Sequence, residues 1–234
     1  MAALGYAIRR NAIGLGIFAM ITGGTIALTQ ALTEERISEQ AARAEAQALF
    51  EIIPENQHDN SLLRDTVTLP ASKQLNRGKP ITGWVARRGD RPTGLILPIT
   101  ATDGYSGDIH MLVGLSMQGR ILGVRVTSHR ETPGLGDRIE TRKSDWVYSF
   151  EGRSLGNPDA DNWAVKKDGG VFDQFTGATI TPRAVVSTVR DALIYFRDHR
   201  EQILEKIRSL PPPANNEPLS PETLAGKASE QEHS

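Results

Sequence analysis

The chain has 234 residues and a formal net charge of −1, with 27 Lys and Arg against 28 Asp and Glu. That suits one medium domain with appendages, and the balanced charge argues against nucleic acid as a partner. Cysteine is absent, which removes disulfides, thiol nucleophiles, thiolate zinc and Cys-held iron–sulfur clusters, and His58, His110, His129, His199 and His233 show no metal-pair spacing.

Residues 11–32, "NAIGLGIFAMITGGTIALTQAL", carry no charged side chain. Roughly 20 helical residues at about 1.5 Å each cross a hydrocarbon core of about 30 Å. Arg9 and Arg10 precede the run and Glu34 and Glu35 follow it. The positive-inside rule therefore places residues 1–10 in the cytoplasm and the rest beyond the membrane. A cleaved signal peptide is the rival reading. Its apolar region is normally shorter, and "TQA" at 29–31 is a poor cleavage site. Ala19, Gly23, Ala27 and Ala31 recur every four residues. They give the anchor a smooth face on which another transmembrane helix can pack, although apolar stretches are often simply rich in small residues.

Residues 33–53 are strong helix formers, expected to continue from the membrane and to stop before Pro54. With the polar loop after them they form a connecting segment, 33–65. Five runs rich in Val, Ile, Leu and Thr then read as strands: 66–69, 81–88, 93–102, 110–117 and 121–128. "QG" at 118–119 makes a tight link between the last two. Helical pieces are expected around 138–150. A helix from Pro182 carries Val185, Val186, Val189, Ala192, Leu193 and Phe196 on one apolar face. The last stretch, 209–234, is proline-rich and polar, which reads as a disordered tail.

Two loops between these elements carry possible chemistry. In "DQFTGATITPRA", 173–184, Thr181-Pro182 reads as an N-cap followed by the first helical residue. Gly177 permits backbone angles closed to other residues. A phosphate ester on Thr179 would lie just ahead of that helix, whose unpaired N–H groups and positive dipole end suit an anion. Thr176 and Thr181 would add hydroxyl donors. Asp173 would repel a phosphate at close range, so its role would be recognition by a modifying enzyme. The plainer alternative is a polar turn capped by Thr181. In "SHRETPGLGDRI", 128–139, Pro133-Gly134 fits the two central positions of a type II turn. Leu135 could lie against an aromatic ring system, with Glu131 and Thr132 as polar contacts. The alternative is again a simple turn. His129 reads better as a satisfied structural histidine than as a proton donor.

Asp173-x-x-Thr176-Gly177-Ala178-Thr179 resembles the flavinylation sequence of FMN-binding domains, and 131–136 resembles the Glu-Thr-Pro-Gly-Leu-Gly loop of the same family. "GYSGDIHMLVGL", 104–115, is similar to the start of that domain. The resemblance implies an α+β fold: an FMN-binding domain over 66–208, with a twisted, mostly antiparallel sheet flanked by helices and one transmembrane helix before it. It implies FMN joined by a phosphoester to Thr179, with Thr176, Gly177, Ala178 and Thr181 around the attachment. Glu131, Thr132 and Leu135 would contact the flavin. Asp173 would be read by a magnesium-dependent flavin transferase that uses FAD as donor in the periplasm. Within the family, the anchor, the chain length and "DQFTGATITPRAVV" look most like the G subunits of Rnf-type ion-translocating electron-transport complexes. These are redox subunits rather than complete enzymes, working between ferredoxin and NAD with other membrane and redox subunits. The C subunits of sodium-pumping NADH:quinone oxidoreductases share the anchor and the site, but are usually longer and read Ser-Gly-Ala-Thr. A rival from another class is a non-redox, membrane-anchored scaffold that keeps the fold without a flavin; the intact motif argues against it.

Overall fold

A computed structural model describes residues 2–76 and 78–210; of the expected tail, 209–234, Ser209 instead ends a helix and residues 211–234 lie outside the described residues. The chain divides into two compact units, one ending at Arg43 and the other starting at Ala44. Helix α1 runs over Ala2–Ile52. Within the first unit, Asn11–Thr33 is long and apolar enough to cross a membrane, with 23 residues and none of its side chains buried. Polar threonines are tolerated there because Thr25, Thr29 and Thr33 donate their hydroxyls to the carbonyls one turn back, each at 2.8 Å. Such a group needs no water as partner.

The second unit is built on five antiparallel strands: β1 (Thr66–Leu69), β2 (Ile81–Arg88), β3 (Arg91–Ala101), β4 (Ile109–Ser116) and β5 (Ile121–Ser128). They form one open sheet in the order β1-β2-β3-β4-β5, every pair antiparallel. A meander follows from the short links between consecutive runs, and Gly119 takes the positive φ of 77° that the β4–β5 link needs. The third and fourth strands begin slightly earlier than expected, at Arg91 and Ile109.

Side-chain alternation sorts the sheet into two faces. Leu95, Leu97, Ile99 and Ala101 of β3 join Met111, Val113 and Leu115 of β4 in the larger core. Helix α3 (Ile180–Asp198) and helix α4 (Arg200–Ser209) follow the short helix α2 (Lys73–Asn76) and cover that side, with Val185, Val189, Phe196, Ile203 and Ile207 buried against it. All six residues expected on the apolar face of α3 are buried. On the opposite face Ile96, Leu112 and Ala86 meet Leu49, Ile52 and Ile53 from the end of α1 and the residue beyond it. The helix lies close because the strands carry glycine beneath it. A Cβ on Gly114 would fall 2.2 Å from Ile52 Cγ2, and one on Gly94 2.8 Å from Ile53 Cδ1. Arg125 of β5, buried, donates Nε to Glu51 Oε2 at 2.9 Å and fastens the same turn of helix. The segment read as a connector thus supplies one wall of the body.

Two local expectations differ from the structure. Residues 138–150 form no α-helix; they hold two 3-10 turns, Gly136–Ile139 and Trp146–Phe150. Helix α3 starts at Ile180 with Thr179 as N-cap, so Thr181 is not the cap and Pro182 sits in the third helical position. Proline is no obstacle there, because none of the first N–H groups of a helix has an intrahelical acceptor.

Candidate cofactor site

The region between β5 and α3 has little regular structure and is held by aromatic rings. Phe150 stacks on Phe172 with centroids 4.6 Å apart, and Trp163 lies 5.2 Å from Phe172. Trp146 meets Phe175 edge-on at 5.1 Å, and its indole Nε1 donates to the Asp173 carbonyl at 2.8 Å. Phe172 and Phe175 are buried while Asp173 and Gln174 between them, and Thr176 just beyond, are exposed. Asp173 forms an ion pair with Lys166 at 2.6 Å.

Ala178 N–H bonds to the Phe175 carbonyl at 3.2 Å, closing a turn whose third residue, Gly177, has φ 84°. A Cβ there would be strained in any case and would lie 3.2 Å from Leu135 Cδ2. The two sequence motifs therefore touch at this point. The turn delivers Thr179 to the head of α3 in αR geometry (φ −84°, ψ −28°), and its hydroxyl makes no capping hydrogen bond. Helix N–H groups that lack a partner favour an anion.

The second loop has the turn its sequence demands. Leu135 N–H returns to the Thr132 carbonyl at 3.1 Å, with Pro133-Gly134 between them and Gly134 at φ 77°. Behind it lies a buried carboxylate, Glu131, only 4% exposed. Glu131 Oε1 accepts the Ser106 N–H at 2.9 Å, and Oε2 accepts the Thr181 hydroxyl. One side chain thus ties together the 102–108 loop, the 131–136 loop and the first turn of α3. The two donors offset the cost of burying its oxygens. Gly136 is required by this knot, since a Cβ would meet Glu131 Cβ and Thr181 Oγ1, both at 2.9 Å. His129 accepts the Glu131 N–H on Nδ1 at 3.0 Å and lies 3.1 Å from Glu140 through Nε2. It is a satisfied structural histidine.

These segments enclose an open cavity of about 380 Å³ lined by Tyr105, Glu131, Thr132, Leu135, Gly136, Gly177, Ala178, Thr179, Ile180 and Thr181. Seven residues expected from the sequence are among them; Thr176 and Asp173 are not. Sequence reasoning missed Tyr105 and Ile180, which together with Leu135 form an uncovered apolar rim, 66%, 46% and 41% exposed respectively. Thr181 and Glu131 serve the site differently from expectation: the Thr181 hydroxyl and both Glu131 oxygens already have partners, so they brace the cavity. On the next turn of α3, Arg183 holds Asp168 through Nε and Nη2, both at 2.5 Å. This hydrogen bonding keeps the Asp168 carboxyl below its ordinary value of 3.8 despite some opposing desolvation.

The donor set fits FMN. An apolar rim suits a flat ring system, while a hydroxyl without a capping partner at a helix N-terminus suits the phosphate end. Comparison with known proteins agrees. The FMN-binding domain family matches residues 104–194, and the RnfG N-terminal region matches residues 1–52. The chain is 52% identical over 195 residues to the G subunit of the ion-translocating oxidoreductase complex of Pseudomonas aeruginosa (strain UCBPP-PA14), covering 83% of this chain and 91% of that protein. It belongs to the G-subunit family of ion-translocating oxidoreductase complexes. The G subunits from Vibrio cholerae (strain O395) and Cronobacter sakazakii are each 46% identical, covering 84% of this chain and 94% and 93% of theirs. The expected α+β architecture, an antiparallel sheet with helices preceded by one apolar N-terminal helix, is the one observed.

Proposed function

We propose that this protein is a single-pass, membrane-anchored electron carrier in an ion-translocating oxidoreductase complex, with FMN held covalently on Thr179 outside the cytoplasm. The observation that carries the reading is the Thr179 hydroxyl, without a cap bond at the head of α3, opening into the same cavity as the 131–136 loop. When bound, FMN supplies one- and two-electron chemistry; the protein supplies position and surroundings.

Attachment is a transfer. The Thr179 oxygen attacks the flavin-side phosphorus of FAD, a phosphoester forms, the hydroxyl proton is released and AMP departs. Asp173, exposed just ahead of the turn and paired with Lys166, is the handle for the transferase. Leu135 would offer an apolar surface to the ring and Thr132 a polar contact. The helix start favours the phosphodiester charge. Tethering keeps the flavin from diffusing away and raises its effective concentration beside its membrane partners. Those partners are the other membrane and redox subunits of the complex, with lipid around residues 11–33. Because the chain contains no cysteine, Cys-held iron–sulfur clusters belong to other subunits.

Intact-mass measurement after co-expression with a flavin transferase tests the reading. The wild-type chain gains one FMN less one water, and Thr179→Ala gains nothing. An unmodified wild-type chain with active transferase present contradicts it. A reporter fused to the C-terminus tests the topology: activity of a reporter that works only in the periplasm is expected, and cytoplasmic activity would reverse the orientation.

A further inference from the structure

Tyr105 is the most exposed large hydrophobic side chain of the body among the described residues, yet the loop beneath it is not slack. A Cβ on Gly104 would lie 2.3 Å from the Gly107 carbonyl oxygen and 3.0 Å from Ile109, so the turn is closed tightly. The Ser106 N–H, one residue on, is fixed to the buried Glu131 carboxylate. The other exposed tyrosine of the body among the described residues, Tyr148, differs: the Arg125 guanidinium covers its ring at 4.8 Å. A rigid backbone thus holds a phenol ring in water at the mouth of the cavity that contains Thr179. Leaving so much aromatic surface wet is unfavourable unless another molecule covers it.

We infer that Tyr105 is a flavin-binding residue, stacking its ring on the isoalloxazine while Leu135 supplies the apolar contact from the 131–136 loop. This rests on the covalent-flavin reading above. Aromatic rings prefer offset stacking or edge contact at centroid separations of roughly 4.5–7 Å. An isoalloxazine tethered through Thr179 is a flat partner of that kind within the same cavity. Glu131 then acquires a purpose as a positioning residue: through Ser106 and Thr181 it sets Tyr105 and Thr179 in one frame.

The full-length chain in detergent, co-expressed with a flavin transferase, provides the test. Tetranitromethane nitrates accessible phenols, and each site is read by peptide mass. Tyr105 should be protected in the flavin-loaded wild type and nitrated several-fold faster in Thr179→Ala, with Tyr148 reacting equally in both. Equal nitration of Tyr105 in chains whose flavin mass is confirmed overturns the proposal and leaves the covalent reading standing. A wild-type chain without the flavin mass overturns both. A second measurement is independent of chemical labelling. A stacked phenol quenches flavin emission by lending an electron to the excited ring and recovering it. Tyr105→Leu should therefore lengthen the emission lifetime several-fold at equal flavin content, whereas Tyr148→Leu should not; an unchanged lifetime in Tyr105→Leu contradicts the stacking.

Discussion

The end of α1 and the start of α3 meet the body of this protein in different ways. Where Ile52 and Ile53 approach the sheet, the strands carry Gly94 and Gly114, and the space is filled to contact. The neighbouring charge, Arg125, is paired with Glu51. At the start of α3 an apolar rim stays in water and the Thr179 hydroxyl has no capping bond, although the backbone around them is tightly bound. The first contact is complete within the chain. The second is a firm frame around a space, which is the form expected of a site that another molecule completes.

Substitutions at the two places should separate stability from cofactor environment. The largest effect is expected for Gly114→Ala, whose new methyl has no room beside Ile52. Overpacking of that kind costs about 3 kcal/mol. The urea midpoint should fall sharply, while the emission spectrum of flavin on the remaining folded chain stays as in wild type. An unchanged midpoint would mean that α1 does not close on the sheet. Glu131→Ala should cost about 2 kcal/mol, because it strands the buried Thr181 hydroxyl and removes the acceptor of the Ser106 N–H. Unlike the glycine variant, it should also alter the flavin spectrum, since it frees two walls of the cavity. Loss of stability with an unaltered spectrum would separate Glu131 from the site.

Smaller changes are expected from Leu135→Ala and Thr132→Val. Both residues are at least partly exposed, so stability should move by no more than about 0.5 kcal/mol. The flavin's absorption or reduction potential should shift with its attachment intact, and an unshifted spectrum and potential would remove the loop from the cofactor's surroundings. The smallest effect belongs to the exposed Arg183–Asp168 pair. Arg183 lowers the folded-state pKa of Asp168 below 3.8. Its stabilisation is therefore present above the unfolded value and lost as pH falls through the folded one. The melting temperature of Asp168→Asn should lie slightly below wild type at neutral pH and coincide with it in strong acid. A gap that persists in acid would point to a contribution other than the carboxylate charge.

Much of this difference between the two places could be read from the chain, but not all. Runs rich in Val, Ile, Leu and Thr revealed the five strands, because a sheet with both faces covered needs apolar residues along its length. Pro133-Gly134 announced its turn, since only glycine takes positive φ without strain. By themselves the two motifs read equally as plain turns; their resemblance to those of FMN-binding domains indicated Thr179, Leu135 and Gly177, which the fold brings to one cavity. The start of α3 was misread because Thr-Pro is a good local cap signal. Thr181 instead bonds Glu131, 50 residues away, and no local propensity registers such a partner. The 138–150 stretch was misread as helix for a related reason. Its aromatic residues are buried by a cluster gathered from 146 to 175, so tertiary packing rather than periodicity fixes its shape. Tyr105 was not singled out although its segment, 104–115, resembled the start of the domain, because a lone tyrosine in a glycine-rich turn has neither pattern nor partner until the fold brings it to the cavity that Thr179 lines.

The central claim is that one particular hydroxyl carries the cofactor, and fragmentation of the flavin-bearing peptide tests it most directly. Digestion of the loaded chain followed by sequencing in the mass spectrometer should place the FMN phosphoester on Thr179. Finding it on Thr176 or Thr181, or finding no flavin on any peptide of a chain matured with active transferase, would contradict the account.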